Sequence, residues 1–380
     1  MKISHSLLFC LLFVSLQLHA SPTDSLENAL KTAKAEQKVK ILNELFRAYI
    51  NSDPVKAIGF TSEALNLAKS TGDKKGLANS YNNLGVAYKS QGALDRSLEN
   101  YLTALKLYEE IKNQEGIATI KNNIGTIYSI KKDKAQAMKN YEEALQQFTA
   151  LNDKEKMIGA LNNLGNLHSE LQLYDQSLKY YSQANELSQQ LGKSNSDLPS
   201  NMGNVYYKQG NFKKAIQYYE QAKSQIDKSG DKLSQLGILA NMGEAYSRAG
   251  QPAKAQVLLD SAMTLCKSLQ AYIYEPQLLK SQAGNFAIQG KMREAYESML
   301  KYDEAKERIY GEESTRKIAQ MEMALDFKEK EKELETVKMD DTIKTLELHN
   351  TQMIITVVVL GIVVAISLFN LFYQRRRTNR

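Results

Sequence analysis

The chain contains no tryptophan, and only five prolines, four histidines and two cysteines occur in its 380 residues. Each scarcity excludes something. Cys10 falls in an apolar N-terminal run, which leaves Cys266 alone in the rest of the chain. A single thiol makes no internal disulfide, so stability must come from packing. Cys266 stands between Leu265 and Lys267 in a helical run, where a small buried side chain is expected rather than a nucleophile. No paired cysteines, no His-Glu-x-x-His sequence and no phosphate-binding loop occur. The expectation is a protein without catalytic residues, metal or cofactor. So few prolines, with 20 glycines, suit helices joined by short turns.

A nucleic-acid partner is also excluded. The formal charge of +6 owes four positive charges to Arg375, Arg376, Arg377 and Arg380 at the C-terminus. Elsewhere Lys and Glu alternate along presumed helix faces, which is the pattern of solvated surface. The chain is 43% hydrophobic and 24% charged, enough for a core beneath a broad polar exterior.

Two apolar segments suggest a topology. Residues 1–20 combine Lys2, an apolar run from Leu7 to Leu18 and a small residue at Ala20, as a secretory signal peptide does. Residues 353–373 carry no charge and are about long enough for a helix to cross a hydrocarbon layer of about 30 Å. The Arg-rich tail, 374–380, would then be cytoplasmic and the N-terminal region exported, giving a single-pass protein of the inner membrane.

Between these segments lies a repeat. Gly85, Gly125, Gly165, Gly203 and Gly243 recur at steps of 40, 40, 38 and 40, with Gly284 a looser match at 41. Three residues after each stand Tyr88, Tyr128, His168, Tyr206, Tyr246 and Ala287. Ala104, Ala144, Ala184, Ala222 and Ala262 follow the first five glycines by nineteen residues, and Tyr101, Tyr141, Tyr181, Tyr219 and Leu259 lie one helical turn before those alanines. The period reads as a hairpin of two helices, A and B, with small residues where they cross and aromatics in the wider gaps. Gln91-Gly92, Gln209-Gly210 and Ala249-Gly250 supply turns. The ends depart from the pattern, as capping repeats do. Phe46 stands at the first Gly position, and Asp303 at the last helix B Ala position.

Stretches such as Tyr81-Asn82-Asn83-Leu84-Gly85-Val86-Ala87-Tyr88 and Leu161-Asn162-Asn163-Leu164-Gly165 resemble the tetratricopeptide repeat, in its class of about 40 residues. They are similar to those of kinesin light chains, the mitotic adaptor LGN and bacterial Rap regulators. The resemblance implies an all-α fold: a right-handed superhelical solenoid of about seven hairpins over 37–310, after a lead-in at 21–36. A long helical connector, 311–350, and one transmembrane helix would follow. The layout also resembles the sensor half of membrane regulators common in Bacteroidetes-like lineages, without the kinase or DNA-binding output. His168 occupies a Tyr position and reads as a core aromatic substitute rather than a phosphoacceptor.

In such a fold the A helices line the concave face and present Asn83, Asn123, Asn163, Asn201 and Asn241, with Asn166 and Asn204 one turn further on. Carboxamides both donate and accept, so a row of them can hold a peptide or protein partner by its backbone. The same side chains could equally link adjacent A helices. Asn82, Asn122 and Asn162 form a second row, interrupted by Ser200 and Ala240. In the connector, Ile318, Met321 and Leu325 would allow a coiled-coil homodimer, although the heptad then meets Lys328 and Lys332. The function expected is a binding module, acting as sensor or adaptor or as a static scaffold.

Overall fold

The computed structural model describes residues 22–193 and 195–311, and residues 339, 343, 344, 346–362, 364 and 366 toward the C-terminus. The leader at 1–20 lies outside the described residues. The chain separates into two compact units, residues 1–305 and 306–380.

Helix starts are set by a local grammar. Asp73, Asn113, Asp133, Asp153, Asn211 and Asp231 each accept a hydrogen bond from the backbone N–H three residues on, which satisfies a donor the helix leaves free. The residue before each cap takes a left-handed conformation, with φ between 53° and 75°. Gly72, Gly210 and Gly230 suit that conformation; Lys112, Lys132 and Asn152 adopt it despite their side chains.

The result is α1 (Pro22–Thr32), then hairpins α2 (Ala35–Tyr49) with α3 (Pro54–Thr71), α4 (Lys74–Ser90) with α5 (Leu94–Glu110), and α6 (Gln114–Ile130) with α7 (Lys134–Ala150). They continue as α8 (Lys154–Glu170) with α9 (Tyr174–Gln190), α10 (Asp197–Lys208) with α11 (Phe212–Ser229), and α12 (Lys232–Arg248) with α13 (Pro252–Ser268). A short 3-10 turn, Tyr272–Tyr274, leads to α14 (Glu275–Ile288) and α15 (Met292–Tyr310). These are seven hairpins after α1 among the described residues. From α3 to α13, each odd helix packs on the even helices before and after it. Successive even helices also touch, as in α2 with α4, α6 with α8 and α10 with α12. The even helices thus converge along one side, the inner face.

What fixes four of the hairpins is a glycine beneath a ring. A Cβ on Gly85 would stand 2.5 Å from the Tyr101 ring; on Gly125, 2.7 Å from Tyr141; on Gly165 and Gly203, 2.6 Å from Tyr181 and Tyr219. In the sixth hairpin Leu259 replaces the ring, 2.7 Å from the same place on Gly243. The small residue is therefore there to seat the aromatic of helix B, not merely to let two backbones cross. Tyr101, Tyr181 and Tyr219 are among the largest fully buried side chains. In the first hairpin the volumes are exchanged: Phe46 takes the glycine position and Thr61 the tyrosine position, both buried.

The last hairpin corrects the sequence register. Gly284 has no atom near where its Cβ would be. The turn bond from Lys291 N–H to the Phe286 carbonyl matches that from Gln251 to Tyr246 one hairpin earlier. A step of 40 therefore places buried Ala283 at the small position, Phe286 at the aromatic and Tyr302 at the helix B alanine. Gly284 and Ala283 are adjacent small residues, and either is small enough for the position, so spacing alone does not tell them apart.

The membrane span is overturned. Among the described residues no helix is long and apolar enough to cross a membrane. The expectation of a span at 353–373, and with it single-pass placement in the inner membrane, is corrected accordingly. Residues 312–338 of the connector, on which a coiled-coil dimer would rest, and residues 367–380 lie outside the described residues.

Candidate functional site

On the inner face α4, α6 and α8 each carry a pair of adjacent asparagines, Asn82-Asn83, Asn122-Asn123 and Asn162-Asn163, and the two members of the pair do different work. The second donates from its Nδ2 to the first of the preceding even helix. Asn83 bonds to Asn43 at 2.8 Å, Asn123 to Asn82 at 2.9 Å, Asn163 to Asn122 at 3.0 Å and Asn201 to Asn162 at 2.9 Å. Ser200 interrupts the acceptor row, and there Asn241 turns to Asn204, one turn further along α10, at 3.2 Å. The outcome is a carboxamide ladder that stitches six even helices, α2 to α12, together. Each net bond contributes on the order of 1 kcal/mol.

The seven residues singled out from the sequence thus divide. Asn83, only 1% exposed, is enclosed in the ladder and also reaches the Asn43 carbonyl. Asn123, Asn163, Asn201 and Asn241 remain partly exposed and keep an Oδ1 beyond the bond they make. Asn166 and Asn204 accept the hydroxyls of Tyr181 (2.5 Å) and Tyr219 (2.7 Å), so they serve the glycine–tyrosine lock. Thr126 does the same for Tyr141 at 3.3 Å. In the second hairpin that position is Val86, and the Tyr101 hydroxyl is buried without a hydrogen-bond partner. Sequence reasoning missed the acceptor role of Asn82, Asn122 and Asn162. Its signal was present, since every donor after Asn83 lies 39 or 41 residues beyond such an asparagine until Ser200 breaks the row.

His168 is buried, with Nδ1 2.8 Å from the Leu164 carbonyl and its ring 4.9 Å from that of Tyr180. It fills an aromatic slot. Cys266 is buried and its Sγ lies 3.2 Å from the Ala271 carbonyl; burial, reinforced by Glu275, pushes the thiol up from its ordinary value. Such a thiol is poorly nucleophilic.

The inner face opens into a cavity of about 540 Å3 between α2, α4 and α6. Asn43, Asn79 and Asn82 line it beside Arg47, Lys75 and Tyr108. Its polar groups suit a ligand with both donors and acceptors.

The tetratricopeptide repeat family matches residues 76–150, 116–190 and 194–268, together half of the chain. The chain belongs to the tetratricopeptide repeat family. Solved structures agree in fold. RapI is 17% identical over 72% of this chain and 98% of its own, with a TM-score of 0.58. Aspartyl phosphate phosphatase F from Bacillus subtilis is 16% identical over 75% of each chain, with a TM-score of 0.57. The Rap conjugation gene regulator of the plasmid pLS20, solved in complex with the Phr* peptide, is 17% identical over 73% of this chain and 76% of its own, with a TM-score of 0.54. No curated protein matches the sequence. At these identities the likeness is one of fold.

Proposed function

We propose that this tetratricopeptide repeat protein binds a peptide or protein segment along the inner face of its even helices, acting as a sensor or adaptor in signal transduction rather than as an enzyme. The observation that carries the reading is the half-satisfied carboxamide ladder. Asn123, Asn163 and Asn201 are partly exposed and each keeps an Oδ1 beyond the bond it donates, and Asn82, Asn122 and Asn162 accept one bond while retaining two N–H donors. An extended peptide offers backbone N–H and C=O groups along its length, with which such carboxamides can pair. A Rap regulator of the same fold was solved with a bound peptide, which supports the choice of ligand class. For sensing, occupancy must favour one arrangement of the hairpins over another, because a ligand shifts an equilibrium only by its differential affinity.

The test begins with a peptide selected from a random display library against the full chain. Replacing Asn123, Asn163 and Asn201 by Ala is expected to weaken that peptide at least tenfold while the far-ultraviolet circular dichroism stays helical. Unchanged affinity in a folded triple variant would remove the inner-face reading.

A further inference from the structure

Among the odd helices, α11 departs from the surface pattern of the others. At matching places α5 carries Glu99 and Lys106, α7 Lys139 and Glu143, and α9 Lys179 and Glu186, the charged residues of a solvated face. In α11 these places hold Gln217, Gln221 and Ser224, all exposed. None of the three makes a side-chain hydrogen bond among the described residues. Charge has been exchanged for neutral groups that each donate and accept.

The same stretch gains a ring. The residue twelve places after the aromatic of the repeat is Asn100 in the second hairpin and Asn140 in the third, and each folds back on a carbonyl of its own helix at 2.8 Å. In the fifth hairpin that residue is Tyr218, stacked on Tyr206 with ring centroids 5.2 Å apart and planes 17° from parallel. Rings and amides together line a cavity of about 650 Å3, and six of its seven lining residues lie on α11. No asparagine of the inner-face ladder lines it. Its two charged groups are of opposite sign and both engaged. The Lys214 ammonium lies 5.0 Å from the centre of the Tyr206 ring, and Glu220 accepts the Tyr246 hydroxyl at 3.0 Å. A lining without net charge favours an uncharged ligand.

We infer that this cavity binds a neutral saccharide chain, with the Tyr206–Tyr218 pair against its C–H surfaces and Gln217, Gln221 and Ser224 hydrogen-bonding its hydroxyls. A sugar hydroxyl both donates and accepts, so carboxamides and a serine hydroxyl serve it whichever way it points. A tyrosine offers an apolar body to C–H groups and a polar tip to hydroxyls. The spacing agrees. Positions 217, 221 and 224 fall on successive turns of α11, about 5.4 Å apart, which is close to the length of one pyranose ring in a linear chain.

Four neutral hexasaccharides serve as probes: cellohexaose, laminarihexaose, maltohexaose and N-acetylated chitohexaose, each titrated calorimetrically into the full chain. At least one should give saturable heat, with an affinity that changes little as salt rises, because no net charge is involved. Gln217→Ala/Gln221→Ala, at exposed helical positions, should weaken it at least tenfold. Tyr218→Leu, which copies Leu258 of the next hairpin, should weaken it comparably. Thr103→Ala/Gln146→Ala, at matching places on α5 and α7, should leave it unchanged. No saturable heat with any of the four probes would overturn the saccharide assignment, as would equal losses in the α11 pair and the control pair. Tighter binding of a neutral hexaglutamine peptide than of every saccharide, lost in the same variants, would also overturn it in favour of a peptide site. The cavity is independent of the inner face: the triple Asn123, Asn163, Asn201→Ala variant should keep full saccharide affinity, and a loss there would place the ligand elsewhere.

Discussion

Tyr101 shows how much a single position can depend on its neighbour. In three hairpins the residue after the glycine, Thr126, Asn166 or Asn204, accepts the hydroxyl of the tyrosine that the glycine seats. At Val86 that acceptor is missing, and the Tyr101 hydroxyl is buried alone. A buried unsatisfied hydroxyl costs about 1–3 kcal/mol, of which a modest bond recovers part. Val86→Thr copies the arrangement of the next hairpin and is expected to raise the unfolding free energy by about 1 kcal/mol, read from the urea midpoint. A lowered midpoint would show that Val86 packs against its apolar neighbours too closely to spare a methyl group. The candidate site has the same residue-level character. Its asparagines were legible as a repeating row, but which of their atoms are used between helices was not, because a carboxamide looks the same whether its partner is a ligand or the neighbouring repeat.

Within a hairpin, the decisive contact is the ring over the glycine. Gly165→Ala would drive a methyl group to within 2.6 Å of the Tyr181 ring, in a core with no room to yield. Overpacking of that kind costs about 1–3 kcal/mol. Gly284→Ala is the matched control, since nothing stands near that Cβ and alanine favours helix over glycine by about 1 kcal/mol. The pair should move the denaturation midpoint in opposite directions. A drop on Gly284→Ala would restore Gly284 to the repeat register that the turn geometry of the last hairpin denies it. Phe46 and Thr61 show why the first hairpin looked irregular in sequence. The bulk has crossed from helix B to helix A, so the interface is filled although neither consensus residue is present.

At the scale of the array, each hairpin is stabilised by the one before and the one after, so the ends have the least support. The last helix shows it directly: Met292, Tyr296 and Leu300 of α15 are exposed, Tyr296 to 65%. Amides of α14 and α15 are therefore expected to exchange with solvent faster than those of α8 and α9, which are flanked by hairpins on both sides. Equal protection across all four helices would mean that the array opens only as one unit. The carboxamide ladder bears on the same measurement. It connects α2 through α12 and stops there, leaving α14 outside it.

The 40-residue period, the helical hairpin and the membership of the tetratricopeptide family were determined by the sequence alone, because small and aromatic residues at fixed spacing have one way to pack. The sequence also exposed the asparagine row. Tertiary structure decided what spacing cannot express. It paired each asparagine with a partner 37 to 41 residues away, set the last hairpin one residue from its apparent register, and gathered Arg47, Lys75 and Asn82 from two helices around one cavity. It also withdrew the membrane span, since among the described residues no helix is long and apolar enough to cross a membrane. The physical reason is common to the first three. Local pattern dictates which face a residue lies on, and only the approach of another helix dictates what that face meets.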